Sequence, residues 1–185
     1  MPPAAPQSTP APPADRDAAR DQLLPHLDAA YNLARWLCRN DHDAADIVQE
    51  SFLRAVRFRD QFRNGSPRAW LLQIVRNTCH TWLARNRVKL APAEMLDHLT
   101  APDSTSPDLL LQRRHDADAV RRAIQLLPNE FREAIVLREI EGLPYKEIAQ
   151  ILAVPVGTVM SRLSRARERL KELLAGYHAE VSHEL

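Results

Sequence analysis

The chain is poor in the residues that turn, staple or flatten a fold. Of its 185 residues, four are glycine, two are cysteine and 5% are aromatic. Few glycines and no sustained alternation of β-branched residues argue against sheets, and the abundance of Leu, Ala and Arg argues for an all-α protein. Cys38 and Cys79 stand far apart, without a CxxC or a paired histidine spacing, so neither a zinc site nor a disulfide framework is expected. Both read as buried free thiols of a reducing cytoplasm, which is the expected location. No apolar run approaches the roughly 20 residues that span a bilayer, so membrane insertion is not expected. A P-loop, GxSxG, HExxH and a glycine-rich nucleotide loop are all missing. The sequence therefore names no catalytic residue, no metal site and no cofactor.

What is present divides into two helical units. Six prolines in the first thirteen residues make 1–20 a disordered Pro/Ala-rich tail. The first unit spans 21–90. Leu27, Ala30, Tyr31, Ala34, Leu37 and Cys38 recur at helical spacing, and Asn40 and Asp41 break and restart the chain. A second helix from about His42 to Arg57 turns Val48, Phe52, Ala55 and Val56 inward, with Asp41 and Asp43 at its positive end. After a polar loop, Ser66 and Pro67 cap a third helix to about Arg87, with Leu71, Ile74, Val75, Thr78 and Trp82 inward. Residues 91–106 have the composition of a flexible linker. The second unit spans 107–175: one helix with Ala117, Val120, Ile124 and Leu127 in register, another from Pro128 with Phe131, Ile135 and Ile140 inward, ended by Gly142. Residues 176–185 read as a C-terminal tail.

The second unit closes with PYKEIAQILAVPVGTVMSRLSRARERL, two amphipathic helices around a tight turn. Thr158, Arg162, Arg165 and Arg169 form one stripe of the second helix, and Val159, Leu163, Ala166 and Leu170 form the adjacent apolar stripe. Pro155 suits the helix start and Gly157 leaves room for a nearby backbone. A helix of this kind, angled by its predecessor, is how a helix-turn-helix enters the DNA major groove. The alternative is a surface helix with solvated arginines.

Net charge is only +1, but it is unevenly spread: Ser51 to Leu90 holds nine Arg or Lys against one acid, Asp60. Phe58, Arg63, Asn64, Arg76, Trp82 and Arg85 mix cations with aromatics, a combination that suits strand-separated DNA, although Trp82 equally suits the core. Asp46, Gln49 and Glu50 share a face of the second helix away from Val48 and Phe52. A metal there would need ligands from other elements, and a protein-binding acidic face or a solvated one remains.

DAADIVQESFLRAVR (43–57), FRNGSPRAWLLQIVRNTCHTWLARNR (62–87) and LPNEFREAIVLREIEGLPYKEIAQILAVPVGTVMSRLSRARERL (127–170) together resemble the bacterial RNA polymerase sigma factors of the extracytoplasmic-function group. The resemblance covers both units in order. It implies an alternative sigma factor whose region 2 docks on the β′ clamp helices of core RNA polymerase through Asp46, Gln49 and Glu50. Phe58, Arg63, Asn64, Arg76, Asn77, Trp82 and Arg85 would bind and help melt the −10 element. Region 4 would read the −35 element through Thr158, Ser161, Arg162, Ser164, Arg165 and Arg169 and touch the β flap. An anti-sigma factor is implied as a further partner. Met160 and Pro144 depart from the pattern, where a basic residue and a Ser or Thr cap are frequent; the first bears on which −35 sequence is read. A helix-turn-helix regulator that binds duplex DNA without polymerase accounts for 107–175 alone. A helical phosphoryl-group hydrolase using the acids of 41–50 would need a bound metal.

Overall fold

A computed structural model describes residues 20–62, 65–86 and 107–183, with side chains of the last stretch described from 116 to 176. The expected N-terminal tail and the linker lie outside the described residues, as do Arg63 and Asn64. Among the described residues all regular structure is helical.

A 3-10 turn, Leu24–His26, leads into α1, Leu27–Cys38. Its apolar residues Ala30, Leu33, Ala34, Leu37 and Cys38 fall on one face and are buried. Arg39 ends it in the left-handed conformation, φ 58°. Asn40 then caps α2, Asp41–Arg57, its side-chain oxygen accepting from the backbone N–H groups of His42 and Asp43 at 2.9 and 3.1 Å. Two of the orphan donors at the helix start are thereby satisfied. Arg35 donates to both carboxylate oxygens of Asp41, at 2.6 and 3.3 Å, and fixes the angle between α1 and α2. After a 3-10 turn, Arg59–Gln61, helix α3 runs from Pro67 to Asn86. Ser66 Oγ accepts from the Ala69 N–H at 3.3 Å, and Pro67 occupies the position where an N–H would have no partner. Helices α1, α2 and α3 pack mutually, with Leu71, Leu72, Val75 and Cys79 of α3 in their common core.

The second unit comprises α4 (Pro107–Leu126), α5 (Asn129–Ile135), α6 (Tyr145–Leu152) and α7 (Val156–His183). Two inward faces differ from the sequence reading. In α4 the buried residues are Ala119, Ala123, Ile124 and Leu127, while Ala117 is exposed and Val120 is 42% exposed. Small alanines let α4 approach its neighbours closely, a packing that hydropathy alone does not choose. After α5 the chain passes into a π-helical stretch, Val136–Ile140. The wider turn shifts the register, burying Val136 and Leu137 and turning Ile140 out to 41% exposure. Gly142, at φ +66°, ends this segment as expected. Helix α7 continues to His183, beyond the point where the sequence reading places a tail.

The two units touch. α3 packs on α6 and α1 on α5, so that one apolar cluster runs through both. The contact is framed by ions. Glu133 is 1% exposed and meets Arg76 Nε at 2.9 Å and His80 Nε2. Arg68 reaches Glu141 at 2.6 Å, and Asn32 donates to the same carboxylate at 3.2 Å.

Candidate nucleic-acid interface

Helix α6 ends at Ala153, which takes the left-handed conformation at φ 54° and ψ 45° without being glycine. Its N–H and that of Val154 return to the carbonyls of Gln150 and Ala149, at 3.2 and 3.1 Å, closing the last turn. After Val154 and Pro155, α7 begins; the Pro155 carbonyl accepts from Thr158 and Val159 at 2.9 and 3.2 Å. Ile148, Ile151 and Leu152 of α6 and Val159, Leu163 and Ala166 of α7 are all buried, and they lock the two helices at a fixed angle. The turn is a helix-turn-helix, held on its other side by α5. A side chain at Gly157 would meet nothing within 4 Å, so packing within the chain does not require glycine there.

The expected cationic stripe is split by its surroundings. Thr158 and Arg162 flank the buried face and are half-buried; Arg162 lies 3.1 Å from Glu130. Arg169 is exposed and pairs with Glu172 at 2.6 Å. The outward arc is formed instead by Met160, Ser161, Ser164 and Arg165, all exposed. Ser161 donates to the Thr158 carbonyl at 3.0 Å, leaving its lone pairs outward. No ion pair engages Arg165 among the described residues. Arg167 reaches Glu139 at 2.7 Å, and Arg138 stacks 4.9 Å from the Tyr145 ring centroid while donating to Leu143 O at 2.9 Å. These contacts brace the helix-turn-helix against the π-helical stretch.

On α3 the proposed −10 residues do not form one group. Asn77 and Arg85 share the exposed side. Trp82 is half-buried against the core, and its carbonyl accepts from Asn86 at 3.1 Å. Arg76 faces the second unit and is held by Glu133. Phe58 is exposed at the end of α2, with the Arg57 guanidinium 5.7 Å from its ring centroid. Phe62 and Trp70 stack at 5.2 Å beyond it. On α2, Asp46, Gln49 and Glu50 are all exposed on one side; Asp46 lies 3.4 Å from His42, and Glu50 2.5 Å from Arg54. Among the described residues, the ion-pair partners of that side, His42 and Arg54, belong to α2 itself.

The buried charges, Arg132 and Glu133, are not legible in the local sequence pattern. Burial alone would raise the pKa of Glu133, but the hydrogen bond from His80 and the Arg76 guanidinium outweigh it and hold the carboxyl below its ordinary value. Arg132, 2% exposed, donates to the carbonyls of Ile124, Gln125 and Leu127 at 3.2, 2.5 and 2.7 Å and to Asn129 at 3.1 Å. Desolvation, then repulsion from Arg39, lowers its pKa to about 10. It closes the end of α4 together with Arg39, which donates to the Gln125 carbonyl at 2.6 Å, and the Leu127 N–H, which donates to the Ile124 carbonyl at 3.2 Å. The available signal was an Arg-Glu pair set between Phe131 and the apolar run Ala134–Leu137. Cys38 and Cys79, distant in sequence, are both buried, and the neighbouring Cys38 thiol, with burial, pushes the Cys79 thiol up.

Comparison with known proteins adds to this geometry. Residues 23–88 match the family described as Sigma-70 region 2, and residues 117–170 the one described as Sigma-70, region 4. The chain is 38% identical over 165 residues to the ECF RNA polymerase sigma factor SigE of Mycolicibacterium smegmatis, covering 88% of this chain and 64% of that protein. It is 39% identical over 138 residues to the ECF RNA polymerase sigma-E factor of Salmonella typhimurium, covering 69% and 72%. In structure it resembles the sigma factor RpoE of Bartonella quintana, solved with the anti-sigma factor NepR. That match has a TM-score of 0.65 and 32% identity, and covers 84% of this chain and 96% of that one. No helix among the described residues is long and apolar enough to cross a membrane.

Proposed function

This chain belongs to the extracytoplasmic-function sigma factors of the sigma-70 family, and from that premise we propose that it acts as an alternative sigma factor. It binds core RNA polymerase, directs it to particular promoters and helps open the −10 region. It performs no covalent chemistry of its own. The carrying observation is the pairing, in one chain, of a braced helix-turn-helix with a region 2 unit that exposes Asp46, Gln49 and Glu50 on one side of α2. A duplex-binding regulator would use the first and have no employment for the second.

The roles follow from position. Asp46, Gln49 and Glu50 offer a carboxylate-rich surface to the β′ clamp helices, and exposed charge there speeds and orients docking. Asn77, Arg85 and Phe58 are the exposed candidates for the −10 strand and Trp82 a half-buried one, and the family pattern adds Arg63 and Asn64, which lie outside the described residues. Ser161, Ser164 and Arg165 enter the major groove at −35, while Thr158, Arg162 and Arg169 track the phosphates beside it.

The two promoter elements are separated by about 25 base pairs, roughly 85 Å of duplex at about 3.4 Å per step. Helices α3 and α6 are in direct contact in the free chain. Reading both elements at once therefore requires the units to part, which frees Arg76 from Glu133 and delivers it to the −10 DNA. An anti-sigma protein, of the kind bound to the Bartonella relative, acts by holding the chain away from polymerase. Co-purification tests the assignment: the full chain should elute with core polymerase, and Glu50→Lys should weaken that complex at least tenfold while the free variant stays folded. Failure of the unaltered chain to join core polymerase would refute it.

A further inference from the structure

The outward arc of α7 carries an apolar pair that neither the fold nor the electrostatic account employs. Met160 is 54% exposed and Val156, one turn earlier, is 38% exposed. Both lie on the leading turns of the helix, and Met160 is followed by Ser161 and precedes exposed Ser164 by one turn. The space beside Gly157 is open to at least 4 Å, so a partner's surface can approach the helix closely on this side. Exposed apolar side chains are ordinary singly, but Met160 sits on the exposed arc of the second helix of the helix-turn-helix, one turn from Ser164, with Val156 one turn before it.

Chemistry narrows what the pair meets. A thioether and an isopropyl group form no useful hydrogen bond with base edges, so guanine O6 and N7 and cytosine N4 would each be desolvated without return. The major groove floor has one apolar feature, the thymine C5-methyl group. The unbranched, polarizable Met side chain adapts its three torsions to such a target. We propose that Met160, backed by Val156, is a specificity residue of region 4 that selects a thymine in the −35 element through contact with its methyl group. This rests on the sigma factor reading above.

The test uses the complex of the full chain with core polymerase. Its preferred −35 duplex is first selected from a randomised segment, and each thymine is then replaced singly by deoxyuridine, which removes only the methyl. One such position should lose about fourfold in affinity, the worth of one buried methyl group. Met160→Ala should bind the selected duplex more weakly and show no further loss with deoxyuridine at that position. Met160→Arg should shift the preference there towards guanine. Met160 is exposed, so neither variant threatens folding. A preferred duplex that tolerates deoxyuridine everywhere, or a methyl effect that survives in Met160→Ala, overturns the inference and leaves the sigma factor reading intact. Absence of a polymerase complex, or of any −35 preference, overturns both.

Discussion

Replacing Glu133 by Gln removes one negative charge from the contact between the two units and little volume. The carboxylate is 1% exposed and accepts from Arg76 at 2.9 Å and from His80. Deleting one partner of a buried ion pair costs about 3–5 kcal/mol when nothing replaces it. Glutamine keeps one acceptor oxygen, and His80, partly open to water, solvates itself as the units relax. A hydrogen bond to a charged group is worth about 1.5–3 kcal/mol and a neutral one about 0.5–1.5, so the exchange forfeits about 1–1.5 kcal/mol. For a chain of this length that corresponds to a fall in Tm of roughly 2–6 °C. The acid dependence gives a second reading. The native carboxyl titrates below its ordinary value, so the stability it contributes is fully present above the unfolded-state value near 4.5 and is lost as pH falls through the folded-state value. Thermal unfolding followed by circular dichroism between pH 3 and 7 should show the native Tm falling through the acid limb, and Glu133→Gln starting lower and falling less. Equal Tm at neutral pH and superimposable acid limbs would refute the assignment of a buried, ionised Glu133.

Ser51 Oγ is buried and has no hydrogen-bond partner among the described residues, so Ser51→Ala should raise stability by about 1 kcal/mol in urea unfolding; a destabilisation would show that the hydroxyl is satisfied. Leu72→Ala, in the core shared by α1, α2 and α3, should cost about 2–5 kcal/mol by the same measurement. Arg165→Ala should weaken −35 binding and relax the preference at the base it reads. Arg162→Ala should lower the salt slope of the polymerase complex by up to about 1 and, because it also loses the contact with Glu130, lower the Tm of the free chain.

Local signals carried the helix ends. Asn40, Ser66 and Gly142 punctuate the chain where their capping and backbone chemistry predicts, and the buried stripes of α1, α3 and α7 follow the 3.6-residue period. Two departures have local causes that periodicity misses. Ile140 is turned out by a π-helical stretch, and α4 packs through Ala119 and Ala123 rather than through Val120. The larger gap is non-local. The Arg76–Glu133 and Arg68–Glu141 pairs join residues 57 and 73 apart, and nothing in either local pattern says which helix will lie opposite. For the same reason Arg162 looked like a free member of a cationic stripe, although Glu130 meets it, and Met160 looked like a mere departure from a family pattern, although it heads the exposed arc. Family resemblance supplied what residues could not: the division of labour between the units and the polymerase that gives them a task.

Run-off transcription with purified core polymerase, on fragments of the source genome that include the region upstream of this chain's own coding sequence, tests the central claim most directly. Discrete start sites that require the chain, and that weaken with Arg165→Ala and with Glu50→Lys, are the predicted result. No chain-dependent transcript, from a folded chain that nonetheless binds duplex DNA alone, would contradict the account and leave a helix-turn-helix regulator in its place.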